Sequence, residues 1–292
     1  MDSIIAMTCC IADEFLRIWT AFLKAAVVII QIMLLILSPA KSLHYDTPPG
    51  DVPHTQPLFM PQAAELMAIL QQKSVQQVAH LMKISDALSG QNVARFQAWS
   101  PSTHNDRSAA QPAVMTFNGN VYRGLEARTF HADALAWAQK HLCILSGLYG
   151  VLRPLDNMQP YRLDMGTPLA TAHSKNLYEF WGDPITHYLN TRMQSETHPV
   201  VVNLASQEYF KAVNTRTLTA KVVTFVFEDF KGGQFKIISI HAKRARGLMA
   251  RFAAMRGLEH PDQLKAFNAE GYAFESAVSE PGHLVFRRSS TA

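Results

Sequence analysis

Cysteine is nearly absent from this chain: three residues in 292, at positions 9, 10 and 143. Cys9 and Cys10 adjoin near the start and Cys143 lies inside an apolar run, HLCILSG. No disulfide framework can be assembled from these, and a reducing compartment suits the chain. A lone thiol in apolar surroundings behaves as a small hydrophobe. Glycine is sparse too, at 14 residues, and none falls in the spacing of a Walker loop, a dinucleotide-binding loop or a nucleophile elbow. The 12 histidines are scattered without the spacing of a metal motif, so no metal site is argued and no cofactor is expected. A large excess of charge is missing as well: 27 Lys and Arg against 23 Asp and Glu leave +4. Global charge alone does not mark a nucleic-acid binder; local clustering of cations would.

Long hydrophobic runs are confined to the start. Phe15 to Leu37 is long enough to span a bilayer, but Arg17, Lys24 and Gln31 interrupt it. The basic start and small-residue cleavage site of a signal peptide are lacking. Met33 opens MLLILSPAKS, a complete strand-and-turn unit. The expectation is that residues 1–32 are an extension upstream of a native start at Met33, and that 33–292 form a single domain. A membrane anchor and a genuine N-terminal helix are the alternatives. Without the charges of that extension the body carries +5.

What is present is a repeated pattern. Four apolar runs each end in a polar or basic cluster: LLILSPAKS, HLCILSGLYGVLRP, PVVVNLASQEYFK and FKIISIHAKRARG. Short β-branched runs of this kind predict strands buried on both faces, and ligands bind beyond the carboxyl ends of such strands. If the four lie side by side and parallel, their tails converge on one cleft carrying hydroxyls and positive charges. That cleft would suit an anion: nucleic acid, nucleotide or another phosphate.

The rest of the chain predicts helices at Gln62–Gln72, Val75–Leu88, Val93–Trp99, Ala132–Lys140, Leu177–Arg192 and Arg246–Arg256. Pro184 inside the fifth could mark its true start. AVMTFNG reads as a strand, Lys221–Phe230 and Gln234–His241 as a hairpin across Gly232-Gly233, and GYAF with HLVFRR as an antiparallel pair. Strands and helices mix without a strict alternation. The expected fold is α+β: one body with a mixed sheet flanked by helices.

Candidate site residues follow from the clusters. In HAKRARGLMARF, Lys243, Arg244, Arg246 and Arg251 leave a predicted buried strand together and could hold phosphate oxygens; a solvated helix face is the plainer reading. Ser38 and Lys41 of SPAKS could form an anion nest, or an ordinary Ser-Pro turn. Arg153 and Arg162 stand in a loop restrained by two X-Pro steps, which suits a binding surface or a structural crossover. ISDALSGQNVARF reads as helix, tight turn, helix. There Gly90, Asn92 and Arg95 would meet a DNA backbone, unless the element is a plain helical hairpin.

SPAKSL, ISDALSGQNVARF, LSGLYGVLRPLDNMQPYRLDMGT, NLYEFWGD, VNLASQEYFKAV, IISIHAKRARGLMARF and FNAEGYAF together resemble the YaaA family of bacterial peroxide-stress proteins, from Met33 to about Arg288. The resemblance implies a cytoplasmic DNA-binding protein that limits damage by hydrogen peroxide and is linked to control of free iron. It also implies a positively charged cleft and a helix-hairpin-helix element, matching Ser85 to Phe96 here. It brings no catalytic activity. The expected partner is DNA, duplex or single-stranded, bound without sequence specificity, with no membrane and a monomeric chain. The rival reading is an enzyme acting on a nucleotide, base or other phosphorylated small molecule in the same cleft. An iron-binding protein is a third, against which the scattered histidines argue.

Overall fold

Met33–Leu37 forms β1, inside the main sheet of this computed structural model, which describes residues 33–102, 106 and 109–289. All five of its residues are fully buried, as an apolar strand covered on both faces must be. The expectation about residues 1–32 lies outside the described residues. On one side β1 pairs in parallel with β5 (Leu142–Ser146), and on the other with β8 (Val200–Asn203). β9 (Lys221–Lys231) lies parallel to β8, and β12 (His283–Arg288) parallel to β9. Antiparallel partners complete the sheet: β6 (Gly150–Leu152) on β5, β11 (Ala273–Phe274) on β12 and β10 (Gln234–Lys236) on β9. Two minor pairs stand apart, β2 (Ser42–Leu43) with β4 (Phe117–Asn118) and β3 (Gln111–Pro112) with β7 (Asn157–Met158). The fold is thus mixed α/β, a mixed sheet flanked by helices, as the sequence leads one to expect.

Three of the four apolar runs are the adjacent parallel strands foreseen; the fourth is not. In FKIISIHAKRARG the strand stops at Lys236 and a helix begins at Ser239, running to Arg256. Ile237 and Ile240 are 58% and 57% exposed, so this run is no buried strand. The helix is set instead by the small residues Ala242, Ala245, Gly247 and Ala250, which are buried against the body. Lys243, Arg244 and Arg246 therefore lie on its second and third turns, not on a strand tail.

Other boundaries shift for local reasons. HLCILSGLYGVLRP is two strands: β5 ends at Ser146 and β6 returns antiparallel, carrying Arg153 back toward the start of β5. AVMTFNG is a helical turn, Ala113–Thr116, followed by the short β4. Pro184 does not mark a start, since the helix Leu177–Arg192 is capped at Asn176, whose Oδ1 accepts from Glu179 N at 3.1 Å. Within that helix Trp181 is core, fully buried and donating to Gly147 O.

The expected turn at Ser89–Gln91 is absent: Asp86–Ala98 is one helix. A Cβ at Gly90 would meet nothing within 4 Å, so Gly90 costs the helix only about 1 kcal/mol in propensity. Ser89 Oγ and Asn92 Nδ2 donate to the carbonyls of Ser85 (2.9 Å) and Leu88 (2.7 Å), satisfied inside the helix rather than capping a new one. The break falls earlier. Val75–Met82 ends at Lys83, whose φ of 52° is left-handed, and Ser85 caps the next helix.

Candidate functional site: a cleft beyond the strand ends

The carboxyl ends of β1 and β8 are tied by two serines. Ser38 Oγ accepts from Ser206 N at 2.9 Å and donates to Ser206 Oγ at 3.3 Å. Tyr122 OH donates to Ser38 O at 3.1 Å, holding the same turn from the other side. Beyond these ends lies a cleft in two connected compartments, of about 910 Å³ and about 560 Å³, which share Ser206, Glu208, Lys243 and Arg246. One wall exists because β9 outruns β8. The last pair in their register is Asn203 with Thr224, and β9 continues to Lys231. The helix Ser239–Arg256 forms another wall.

That helix is placed by its glycine. A Cβ on Gly247 would come within 1.7 Å of Val121 O, and one on Gly124 within 2.3 Å of Arg244 O. Only two glycines allow the helices Asn120–Leu125 and Ser239–Arg256 to approach backbone to backbone. A buried carboxylate lies beside the start of the longer helix. Asp229, 1% exposed, accepts from Tyr272 OH (2.9 Å) and Arg288 Nε (2.7 Å), and His241 Nδ1 lies 3.3 Å away.

The charged lining of the cleft is Lys41, Lys211, Lys243 and Arg246 against Asp164 and Glu208. Asp164 is engaged by a neighbouring cation, whereas Glu208 takes a backbone N–H and keeps its charge. Asp164 sits 3.2 Å from Lys41, and Glu208 Oε1 accepts from Gly166 N at 3.1 Å. Among the described residues no carboxylate pairs with Lys243 or Arg246. The Arg246 Nε is buried and meets no hydrogen-bond acceptor, and burial lowers the guanidinium's pKa from its ordinary value. A desolvated cation without a counter-charge is costly, and an anion beside it would offset that cost.

The other predicted residues divide between this cleft and the scaffold. Ser38, Lys41, Lys243 and Arg246 line it together. Arg162 Nη2 is 4.0 Å from Asp164, linking Lys41 to the restrained loop, and its Nε is buried without an acceptor. Burial lowers the pKa of Arg95, and the neighbouring Arg162 charge lowers it further while Tyr45 opposes. Arg162 thus stands beside Lys41 at Asp164, whereas Arg95 lines a separate pocket with Trp99 and Pro160.

Arg153, Arg244 and Arg251 are occupied elsewhere. Arg153 pairs with the buried Asp156 at 2.7 Å and donates to Gln56 O. Arg244 pairs with Glu270 at 2.6 Å and donates to Arg123 O. Arg251 donates to Leu125 O, Glu126 O and Thr129 Oγ1. Asn92 is 1% exposed and bonded within its helix, and Gly90 is mid-helix, so neither offers a turn N–H. Sequence reasoning missed Glu208, Thr224, Val226 and Ile237 as lining residues. The period of two along β9, in which Val222, Thr224, Val226 and Glu228 alternate with buried neighbours, was the available signal for Thr224 and Val226.

Among the described residues no group of three or more His, Cys, Asp or Glu is placed to hold a metal ion, and no helix is long and apolar enough to cross a membrane. Cys143 is fully buried in β5, and burial pushes its thiol up to about 11. It is protonated and shielded at neutral pH, hence a poor target for peroxide. Cys143→Ala is expected to leave peroxide survival unchanged in a complementation assay; lost protection by a folded variant would show thiol chemistry at work.

A family model described as peroxide stress protein YaaA matches residues 33–278. A UPF0246 protein of Albidiferax ferrireducens is 60% identical over 256 residues, covering 88% of this chain and 98% of its own. Another from a Polaromonas species is 59% identical over 260 residues, covering 89% of this chain and all of its own. With a family model spanning most of its length and relatives this similar, the chain belongs to the peroxide stress protein YaaA family.

Proposed function

We propose that this protein binds DNA through its phosphates, without reading sequence, and that this binding serves the peroxide stress response by protecting DNA and limiting free-iron damage. The observation that carries the reading is Arg246, a half-buried residue whose buried Nε is unsatisfied, beside Lys243. Phosphate oxygens are the acceptors that such a pair lacks. The polymer is favoured over a lone small molecule because the cations of the cleft, Lys41, Lys211, Lys243 and Arg246, are spread over two compartments, more than one phosphate would occupy. The paired helices Val75–Met82 and Asp86–Ala98, turning at Lys83–Ser85, add a second element suited to a DNA backbone.

Labelled oligonucleotides of increasing length, titrated at several salt concentrations, test this. Affinity is expected to rise with length and to fall linearly in log–log form with salt, by about 0.9 per phosphate neutralised on B-DNA. Affinity that is independent of length, with tight binding of a mononucleotide, would replace this reading with an enzyme or receptor for a small phosphorylated molecule.

A further inference from the structure

The larger compartment of the cleft is more than a phosphate site. At about 910 Å³ it falls in the range of pockets that enclose a small molecule, about 300–1,000 Å³. Lys243 and Arg246 stand on the helix; Glu208 and Lys211 also line the compartment, beside the apolar side chains Phe210, Val226 and Ile237, none of them fully buried. Ile237 is 58% exposed, an apolar surface kept open at the rim of a charged cleft. At the strand-end side two polar groups are adjacent, since Asn203 and Thr224 are register partners on β8 and β9. Asn203 Oδ1 accepts from Ala205 N at 2.9 Å. Among the described residues its Nδ2 and the Thr224 hydroxyl make no protein hydrogen bond.

An intact duplex has little to offer the apolar part of this lining, because its base faces are stacked on one another and only phosphates and base edges are presented. An unpaired nucleotide has a free base face, a base edge and a phosphate, one for each part of the compartment. Proteins that hold single strands combine these same elements, cations along the backbone and apolar or aromatic surface against the bases.

We propose that the compartment receives one unpaired nucleotide of a DNA strand, with its phosphate on Lys243 and Arg246, its base against Phe210, Val226 and Ile237, and its base edge toward Asn203 and Thr224. This rests on the DNA-binding reading above and adds to it a preference for DNA containing an unpaired position.

The test compares two duplexes of one length and sequence, one intact and one carrying a single bulged 2-aminopurine nucleotide, on wild type, Ile237→Ser and Thr224→Val. A stacked base is worth about 1–3 kcal/mol by substitution, so the bulged duplex is expected to bind roughly 10-fold tighter or better, with a change in 2-aminopurine fluorescence. Ile237→Ser, at an exposed position, is expected to weaken binding of the bulged duplex more than of the intact one, removing most of that preference. Thr224→Val, which keeps the side-chain shape, should reduce the preference less. Equal binding of both duplexes by wild type overturns the proposal and leaves DNA binding standing. So does a preference that survives both substitutions, or a loss that falls equally on both duplexes. If neither duplex binds, the DNA reading fails and the compartment's role fails with it.

Discussion

Replacing Lys243 and Arg246 together by alanine is expected to lower affinity for DNA roughly 100-fold, and to flatten the slope of log K against log salt by roughly 2. The first figure takes about 1.5 kcal/mol for each charge-assisted hydrogen bond lost, and every 1.4 kcal/mol is tenfold. The second takes about 0.9 for each phosphate no longer neutralised. Both effects are expected to be uniform across sequences, because phosphate contacts position the protein without carrying base information. The fold is expected to survive. Lys243 is exposed, and removing the half-buried Arg246 orphans no partner, because no carboxylate among the described residues pairs with it. Substituting Arg244 and Arg251 makes the contrast, since their guanidiniums hold Glu270 and the turn after Leu125. Those changes are expected to lower the urea midpoint with little change in salt slope. A double variant that keeps the wild-type slope would remove this cleft from DNA binding.

Gly247→Ala is expected to be severely destabilising. Its new methyl group would sit 1.7 Å from Val121 O, and the obstacle is backbone, which no rotamer change can move. Overpacking costs about 1–3 kcal/mol where side chains can yield, and more where they cannot. Against a typical stability of about 5–15 kcal/mol, a loss of 3 kcal/mol or more is a large share. The helix Ser239–Arg256 must move away from Asn120–Leu125, taking Lys243 and Arg246 with it, so DNA binding is expected to fall alongside stability. Gly90→Ala provides the opposite case: in open space on a helix, the new methyl is expected to stabilise by about 0.5–1 kcal/mol. Urea unfolding of the two variants beside wild type checks both signs. A Gly247→Ala protein as stable as wild type would contradict the close approach of these helices.

The strands at the heart of the sheet were legible because burial on both faces leaves an unbroken apolar run. MLLIL, LCILS and VVVN carry that mark without ambiguity. FKIISI carries the same mark in composition and is misleading. Its isoleucines stand at a cleft rim and a helix start, and no local rule separates an apolar residue kept open for a ligand from one bound for the core. Gly90 misled in the other direction, since a glycine that breaks a helix and one that the helix merely tolerates look alike until the neighbouring side chains are placed. The cleft's cations were partly foreseen. Lys41 was found from strand-end clustering and Arg246 from a basic cluster wrongly read as a strand tail, whereas the engagement of Arg153 and Arg244 depends on Asp156 and Glu270, whose positions only the tertiary fold fixes. Glu208 and Ile237 fall within PVVVNLASQEYFK and FKIISIHAKRARG, two of the runs read as converging on the cleft, but nothing local marks which residues of those runs line it.

The order of strands in the sheet bears on how the protein is made. β1 is flanked by β5 and β8, whose residues follow it by more than a hundred positions. At about 5–20 residues per second on the ribosome, MLLIL leaves the tunnel and waits roughly ten to thirty seconds for both neighbours to emerge. Through that interval a wholly apolar strand has two bare edges, the form most open to pairing with another nascent chain. Non-local parallel pairing is also intrinsically slow to form. The segment on which the cleft is founded is thus an edge-pairing hazard for much of the time the chain is being made.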